Sequence, residues 1–383
     1  MVLTTILKCS ICIFIFSVQF KSYSTALCRT TNDHKNHTCE GFRFREIVLS
    51  RSTRLQLLRT RIFNCKETDV KEGALVFPNL ENLTVSCGSI QNLDEKAFLN
   101  FNNLQELDLS YNQLSKISNQ VFRPLGNLRT LNLTGNSFED LPQTIFDGLN
   151  GLKELFLSHN KINNFHVKVF DAIRAVEKVS LDNNLINFLP GRLLTKLRKL
   201  QYLDLSNNYI ENVGEVFVLA YNLQYLNLSH NVIEDLPLRL FQTTRLEILD
   251  LSNNKLSIIY EDALPFKTLK KLYLQNNQIS LFDVGGMNME YMPLRLLNIE
   301  NNRLVFLEND FIKTASSLTE LYIFKNPWDC TCFQEIEKIH DELIVQPEDT
   351  DGPVCVYGLS NDCNINKSNL TAYYRAFVKQ LEL

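Results

Sequence analysis

The side chains able to do chemistry in this 383-residue chain are ten cysteines, six histidines and a set of asparagine–hydroxyl motifs. Cys9 and Cys12 fall in the first 26 residues, and the other eight cysteines form two groups of four. Cys28, Cys39, Cys65 and Cys87 stand at the front; Cys330, Cys332, Cys355 and Cys363 stand at the back. An even number confined to the two ends reads as disulfides made in an oxidising compartment. Zinc is the competing reading of Cys330-Thr-Cys332 with Cys355 and Cys363, and the secretory setting disfavours it. His159 and His230 share one phase of a sequence period three repeats apart, which at strand spacing separates them by about 14 Å, too far for one metal. His34 and His37 belong to a front loop, and His340 stands alone near the back. No Gly-X-Ser-X-Gly, His-Glu-X-X-His or phosphate-cradling glycine loop occurs. Acids such as Asp108 and Asp204 lie far apart, with no expected pocket to shift their pKa values. The expectation is cross-linking and glycosylation, with no enzyme activity, no cofactor and no metal.

Six Asn-X-Ser/Thr sequons, at Asn36, Asn82, Asn132, Asn227, Asn366 and Asn369, are the candidate glycosylation sites. A secretory leader is expected over residues 1–26. Lys8 precedes an apolar run from Ile11 to Phe20, and Ser24-Thr25-Ala26 offers small residues for cleavage after Ala26. No other stretch approaches the eighteen or so apolar residues of a membrane span, and no lipid-anchor tail is evident. The net charge is −4, from 39 basic and 43 acidic residues, so bulk electrostatics favour neither nucleic acid nor an anionic membrane. A local basic run, Arg43, Arg45, Arg51, Arg54, Arg59 and Arg61, reads as a solvated face, with an anionic-polysaccharide site as the alternative.

The elements that must carry these groups are set by a repeating frame. Ten asparagines close it: Asn112, Asn136, Asn160, Asn184, Asn208, Asn231, Asn254, Asn277, Asn302 and Asn326. Each ends a segment Leu-X-X-Leu-X-Leu-X-X-Asn, which restarts every 23 to 25 residues from Leu80 to Leu318. This is the leucine-rich repeat signature. The central Leu-X-Leu is too short for a helix and alternates, so it reads as a brief strand with leucines inward. One coil cannot bury its own leucines, so coils must stack. The asparagine amide can donate to and accept from the backbone of adjacent coils, a structural role. Phe98, Phe122, Phe146, Phe170, Leu194, Phe217 and Phe241 recur as a convex apolar spine. The expected fold is an α/β leucine-rich repeat solenoid: a curved horseshoe with a concave parallel sheet of short strands, an irregular or short-helical convex side, and disulfide caps. Gly285-Gly286 falls in a lengthened coil and reads as a loop insertion.

The frame also arranges the front cysteines. A degenerate coil from Leu57 puts Thr60 and Ile62 inward and Cys65 at the asparagine phase, while Cys87 sits one phase earlier in the next coil. Adjacent coils bring these within reach, giving Cys65–Cys87 and leaving Cys28–Cys39. At the back, Cys330 and Cys332 are too close in sequence to pair without strain, which leaves two connectivities open.

The run Asn326-Pro-Trp-Asp-Cys-Thr-Cys332 after the last coil resembles the C-terminal cap of animal extracellular leucine-rich repeat proteins. Residues 28–363 are similar in plan to Toll-type ectodomains, neuronal adhesion proteins and the secreted leucine-rich immune proteins of insects. The resemblance implies the bridges Cys330–Cys355 and Cys332–Cys363 and a cap-packing role for Trp328. Only about twenty residues follow Cys363, where the insect immune proteins continue into a long coiled coil. The organisation expected is a signal peptide at 1–26, an N-terminal cysteine cap and degenerate repeat at 27–79, repeats at 80–325, a C-terminal cysteine cap at 326–363 and a short tail at 364–383. In that tail Leu370, Tyr373, Tyr374, Phe377, Val378 and Leu381 follow a helical period.

Outward strand positions are mostly polar from Gln105 to Ser180 and change character toward the C-terminal half. Tyr202, Tyr225, Ile248 and Leu296 share one outward column, interrupted by Lys271. Tyr273, Tyr322 and Phe324 lie in neighbouring columns, with Asp204 and Asp250 among them. Contiguous apolar and tyrosine side chains facing solvent tend to mark interfaces, so these nine residues form the candidate ligand-binding patch. Asn132 and Asn227 occupy the outward site between two strand leucines, where glycans would interrupt the concave sheet. The expected function is that of a secreted glycoprotein binding a protein or glycoconjugate ligand without catalysis. The resemblance implies innate immune recognition; an extracellular matrix or cell-adhesion component, or an inhibitor of an extracellular enzyme or receptor, is the alternative.

Overall fold

Each coil contributes one short strand because only its Leu-X-Leu core alternates cleanly, and the strands add side by side into a single 14-stranded sheet. The computed structural model describes residues 27–41, 43–44, 51–283, 292–307, 311, 315–340, 344 and 355–356. The leader, Arg45, Gly285-Gly286, Cys363, Asn366, Asn369 and the tail lie outside them. The sheet opens with strand β1 (Leu27–Thr30) antiparallel to β2 (Asn36–Glu40), and every later pairing in it is parallel. Strand β3 (Arg59–Phe63) belongs to the degenerate coil, with Thr60 and Ile62 buried as the frame requires. From Glu106–Asp108 to Glu320–Tyr322 the strands are three residues long and keep one register. Leu155, Val179, Leu203, Leu226 and Leu249 thus stand in line and are all buried.

The asparagine ladder works as a set of cross-coil staples. Asn160 Nδ2 donates to Leu133 O of the preceding coil at 3.1 Å and to its own Leu157 O at 3.0 Å. Its Oδ1 accepts from Phe138 N, again of the preceding coil, at 3.1 Å. All ten repeat asparagines are buried, so these polar groups have the protein as their partner. The residue just before the asparagine is left-handed throughout: Tyr111, His159, Asn183, Asn207, His230, Asn253, Asn276, Asn301 and Lys325 have φ between 52° and 59°, and Gly135 has 69°. His159 and His230 are therefore exposed turn residues.

On the convex side the phenylalanine spine is buried, with Phe98 against Phe122 and Phe217 against Phe241 at centroid separations of 6.4 and 5.5 Å. The described residues from 57 to 307 contain no α-helix and one 3-10 turn, Glu261–Ala263. With coils this short, the return path is made of turns.

Disulfides Cys28–Cys39 and Cys65–Cys87 lie at the front and Cys330–Cys355 at the back. Cys332 is also disulfide-bonded. Trp328 is fully buried, donates Nε1–H to Ile323 O at 2.9 Å and packs on Phe333 of the cap helix Cys330–His340. One assignment changes at the front: His37 is not a loop residue but a buried member of β2. Asn-His-Thr-Cys-Glu alternates, and its inward positions are His37 and Cys39.

Candidate functional site

The parallel register lays outward residues into columns along the concave face. One column runs Lys178, Tyr202, Tyr225, Ile248, Lys271. The next runs Asn132, Phe156, Ser180, Asp204, Asn227, Asp250, Tyr273. The Tyr202 and Tyr225 rings stack with centroids 4.3 Å apart and planes 4° from parallel. On the side away from Tyr225, Lys178 Nζ lies 4.7 Å from the Tyr202 centroid and 5.2 Å from that of Phe156. Ring stacking and a cation held between rings are each worth about 0.5–1.5 kcal/mol, so Phe156, Lys178, Tyr202 and Tyr225 form an ordered row across four coils.

Stacking turns the ring faces toward one another and leaves edges and hydroxyls toward the concave space. Burial, and then the Asp204 charge, push the phenols of Tyr202 and Tyr225 above the ordinary tyrosine range. Burial raises Tyr273 as well, with Asp250 and Glu320 adding to it; for Tyr322 the further cause is its hydrogen bond to Glu320. These groups stay neutral O–H donors. The acids between them have a turn to hold first. Asp204 Oδ1 accepts from Ser206 N at 3.0 Å, and Asp250 Oδ1 accepts from Ser252 N at 2.9 Å. Asp108, Asn132, Asn227 and Asn298 make the same bond two residues on, which explains why Asp and Asn recur in this column.

The structure brings Tyr202, Tyr225, Ile248, Asp204, Asp250, Tyr273 and Tyr322 onto the concave face, each half-buried. Leu296 and Phe324 do not belong with them: both are buried, at 6% and 2% exposure. Phe324 follows Ile323 at the phase occupied elsewhere by Ser206, Ser229 and Ser252, all buried, and its ring joins the core. Leu296 keeps its outward column, but its side chain is shorter than those of its register neighbours Lys271 and Glu320. Alternation fixes the side of the sheet, not the exposure. Conversely, the polar description of the N-terminal half misses Phe156 and the ring-packed Lys178. Phe156 stands between Leu155 and Leu157, the outward position of Asp204 in its own coil, and that spacing is the signal that finds it.

Asn132 and Asn227 lie in the same column, four strand steps or about 19 Å apart, on either side of Phe156. Asn82 sits nearer the front, where its amide donates to Glu106. Cys28, His37 and Cys39 gather their ligand atoms within 4.8 Å, but the two sulfurs are bonded to each other and offer no thiolate to a metal. Along the strand-entry edge of the front coils runs an open groove of about 810 Å³, lined in part by Glu81, Gln105, Arg129 and Lys153. Past the asparagine ladder, Leu185, Phe188 and Tyr209 are exposed, at 42%, 59% and 57%.

No curated protein matches the chain at a significant level. Among solved structures, the fold is similar to the LRIM1/APL1C complex, with TM-score 0.65 and 19% identity over 93% of this chain and 74% of that one. It is similar to an internalin from Listeria monocytogenes, with TM-score 0.62 and 17% identity over 83% of this chain and 93% of that one. A TLR13–ssRNA13 complex aligns with TM-score 0.54 and 22% identity over 78% of this chain and 55% of that one. At such identities the likeness is one of fold. The leucine rich repeat family model matches residues 78–138, 126–178, 174–233 and 221–279, more than half of the sequence. With its asparagine ladder and constant strand register, the chain belongs to the leucine-rich repeat family.

Proposed function

We propose that this protein is a secreted, non-catalytic binding module whose ligand, a protein or microbial glycoconjugate, seats on the concave row from Phe156 to Ile248, in an innate immune role. The observation that carries the reading is the Tyr202–Tyr225 stack with Lys178 on its outer face. These are rigid, half-buried aromatic side chains of the type that dominates contact centres. Paired disulfides in both caps and sequons at Asn132 and Asn227 support an extracellular setting. Glycans on those two asparagines would bound a stretch of about 19 Å that holds Phe156, Lys178 and Tyr202, with Tyr225 on the strand of Asn227 and Ile248 one strand beyond it.

The test begins with ligand capture from the native fluid by the intact chain, followed by mass spectrometry. Tyr225→Ala combined with Ile248→Asp then weakens binding of the captured ligand about thirtyfold, equivalent to ~2 kcal/mol lost at a contact centre, while thermal unfolding stays cooperative. Unchanged affinity in the folded double variant removes the concave row from the binding site. Asn132→Gln and Asn227→Gln each lower the mass of the secreted chain by one glycan.

A second reading, an adhesion or matrix component, is favoured by one observation: Leu185, Phe188 and Tyr209 are more exposed than any residue of the concave row. Sedimentation of the purified chain separates the two, since concentration-dependent assembly abolished by Phe188→Asp supports adhesion.

A further inference from the structure

The front disulfide has two unlike ends. Cys28 and Cys39 stand directly opposite one another on β1 and β2, and two residues along each strand Thr30 faces His37. Alternation puts all four side chains on one side of the pair. Cys28 is exposed, whereas Cys39 and His37 are buried, at 0% and 2% exposure. His37 Nε2 lies 2.9 Å from Cys39 Sγ, and His37 Nδ1 lies 2.8 Å from Thr30 Oγ1. A disulfide sulfur has no proton to give, so Nε2 carries the hydrogen directed at it, and Nδ1 accepts from the Thr30 hydroxyl. The acceptor-only sulfur thereby selects the tautomer, and the Thr30 hydroxyl satisfies the nitrogen left without a proton. Burial holds the imidazole below its ordinary pKa, which maintains this neutral form.

We propose that Cys28–Cys39 is a thiol-exchange site, attacked at exposed Cys28 by a small thiol of the glutathione class, with buried Cys39 as the leaving sulfur. The attacking thiol first loses its proton to solvent. Its sulfur forms a bond to Cys28 Sγ as the Cys28–Cys39 bond breaks, and the electron pair goes to Cys39 Sγ. His37 gives the departing thiolate a hydrogen bond from Nε2–H and keeps that proton; the thiolate takes its own proton from solvent that enters as the bridge opens. One disulfide and one thiol are consumed, one of each is formed, and no outside oxidant or reductant is needed. A hydrogen bond to the leaving thiolate lowers its basicity and speeds exchange. Burial of Cys39 directs the mixed disulfide to Cys28. The neighbouring Cys65–Cys87 bridge has both cysteines buried and serves as the internal comparison. The inference stands on the cap alone and is separate from the concave binding reading.

The experiment treats the full chain, purified without reductant, with glutathione at neutral pH, then quenches by alkylation and maps the adducts by peptide mass spectrometry. Glutathione is expected on Cys28 and the alkyl group on Cys39, appearing about tenfold or more faster than any opening of Cys65–Cys87. Thr30→Val, which removes the hydroxyl bond that holds the ring against the sulfur, and His37→Ala, which removes the donor, both slow the reaction, while His37→Gln keeps an N–H in reach and retains most of the rate. Thermal unfolding of each variant verifies the fold; should His37→Ala not fold, Thr30→Val and His37→Gln decide. Adducts on Cys39, exchange no faster than at Cys65–Cys87, or Thr30→Val and His37→Ala variants that react like the unaltered chain would overturn the proposal.

Discussion

Asn208→Ala removes a staple at the centre of the stack. The Asn208 amide donates to Leu181 O of the preceding coil at 3.1 Å, to Leu205 O at 3.0 Å and to Ser206 O at 3.0 Å. Its Oδ1 accepts from Ile186 N, also of the preceding coil, at 3.0 Å. Asn208 is buried. An orphaned buried N–H costs roughly 1–3 kcal/mol, and the three carbonyls, each of which keeps one other donor, together add about 2 kcal/mol. The total is about 3–5 kcal/mol, a large part of the roughly 5–15 kcal/mol that holds a typical domain together. Asn222 supplies the control, because its side chain makes a single cross-coil bond, to Arg198 O at 2.7 Å near solvent. Asn222→Ala should lose about 0.5–1.5 kcal/mol. Urea unfolding followed by far-UV circular dichroism reads both. A lower m-value for Asn208→Ala would report loss of coupling between the two halves of the stack. Should the two variants fall within about 0.5 kcal/mol of each other, the ladder is not the staple described and the buried-amide argument fails.

Three further outcomes follow from particular residues. Tyr202, Tyr225, Tyr273 and Tyr322 all have folded-state pKa values raised from 10.0, so the unfolded chain loses their protons first; stability is intact below about pH 10 and falls as pH rises beyond it, and absorbance titration near 295 nm should show a late-ionising set in the folded protein. A Cβ on Gly135 would stand 2.6 Å from Tyr111 Cδ1 at φ +69°, so Gly135→Ala destabilises by about 1–3 kcal/mol, part of which is regained in the double variant with Tyr111→Ala; strict additivity in that cycle rules out the clash. Phe324→Ala, in the core, costs about 3–5 kcal/mol in denaturant unfolding, whereas half-buried Tyr322→Ala costs under about 1.5 kcal/mol, and equal losses would return Phe324 to the surface.

The repeat frame alone determined the fold, the inward leucines, the phenylalanine spine and the asparagine ladder. It could do so because a solenoid contacts only its neighbouring coils, which turns each spatial relation into a sequence interval of 23 to 25 residues. The columns of the concave face were legible for the same reason, and with them the pairing of Tyr202 with Tyr225. Tertiary structure decided what those columns expose. Phe324 and Leu296 are buried, while Lys178 is held between the rings of Phe156 and Tyr202. Exposure and ring orientation depend on the sizes of side chains one coil away and on where a turn carries the chain after the strand, neither of which a polar–apolar alternation records. The same holds at the front cap: the cysteine frame put Cys28 with Cys39, but the β1–β2 register set Thr30 opposite His37, because cross-strand neighbours are chosen by hydrogen-bond pairing and not by spacing along the chain.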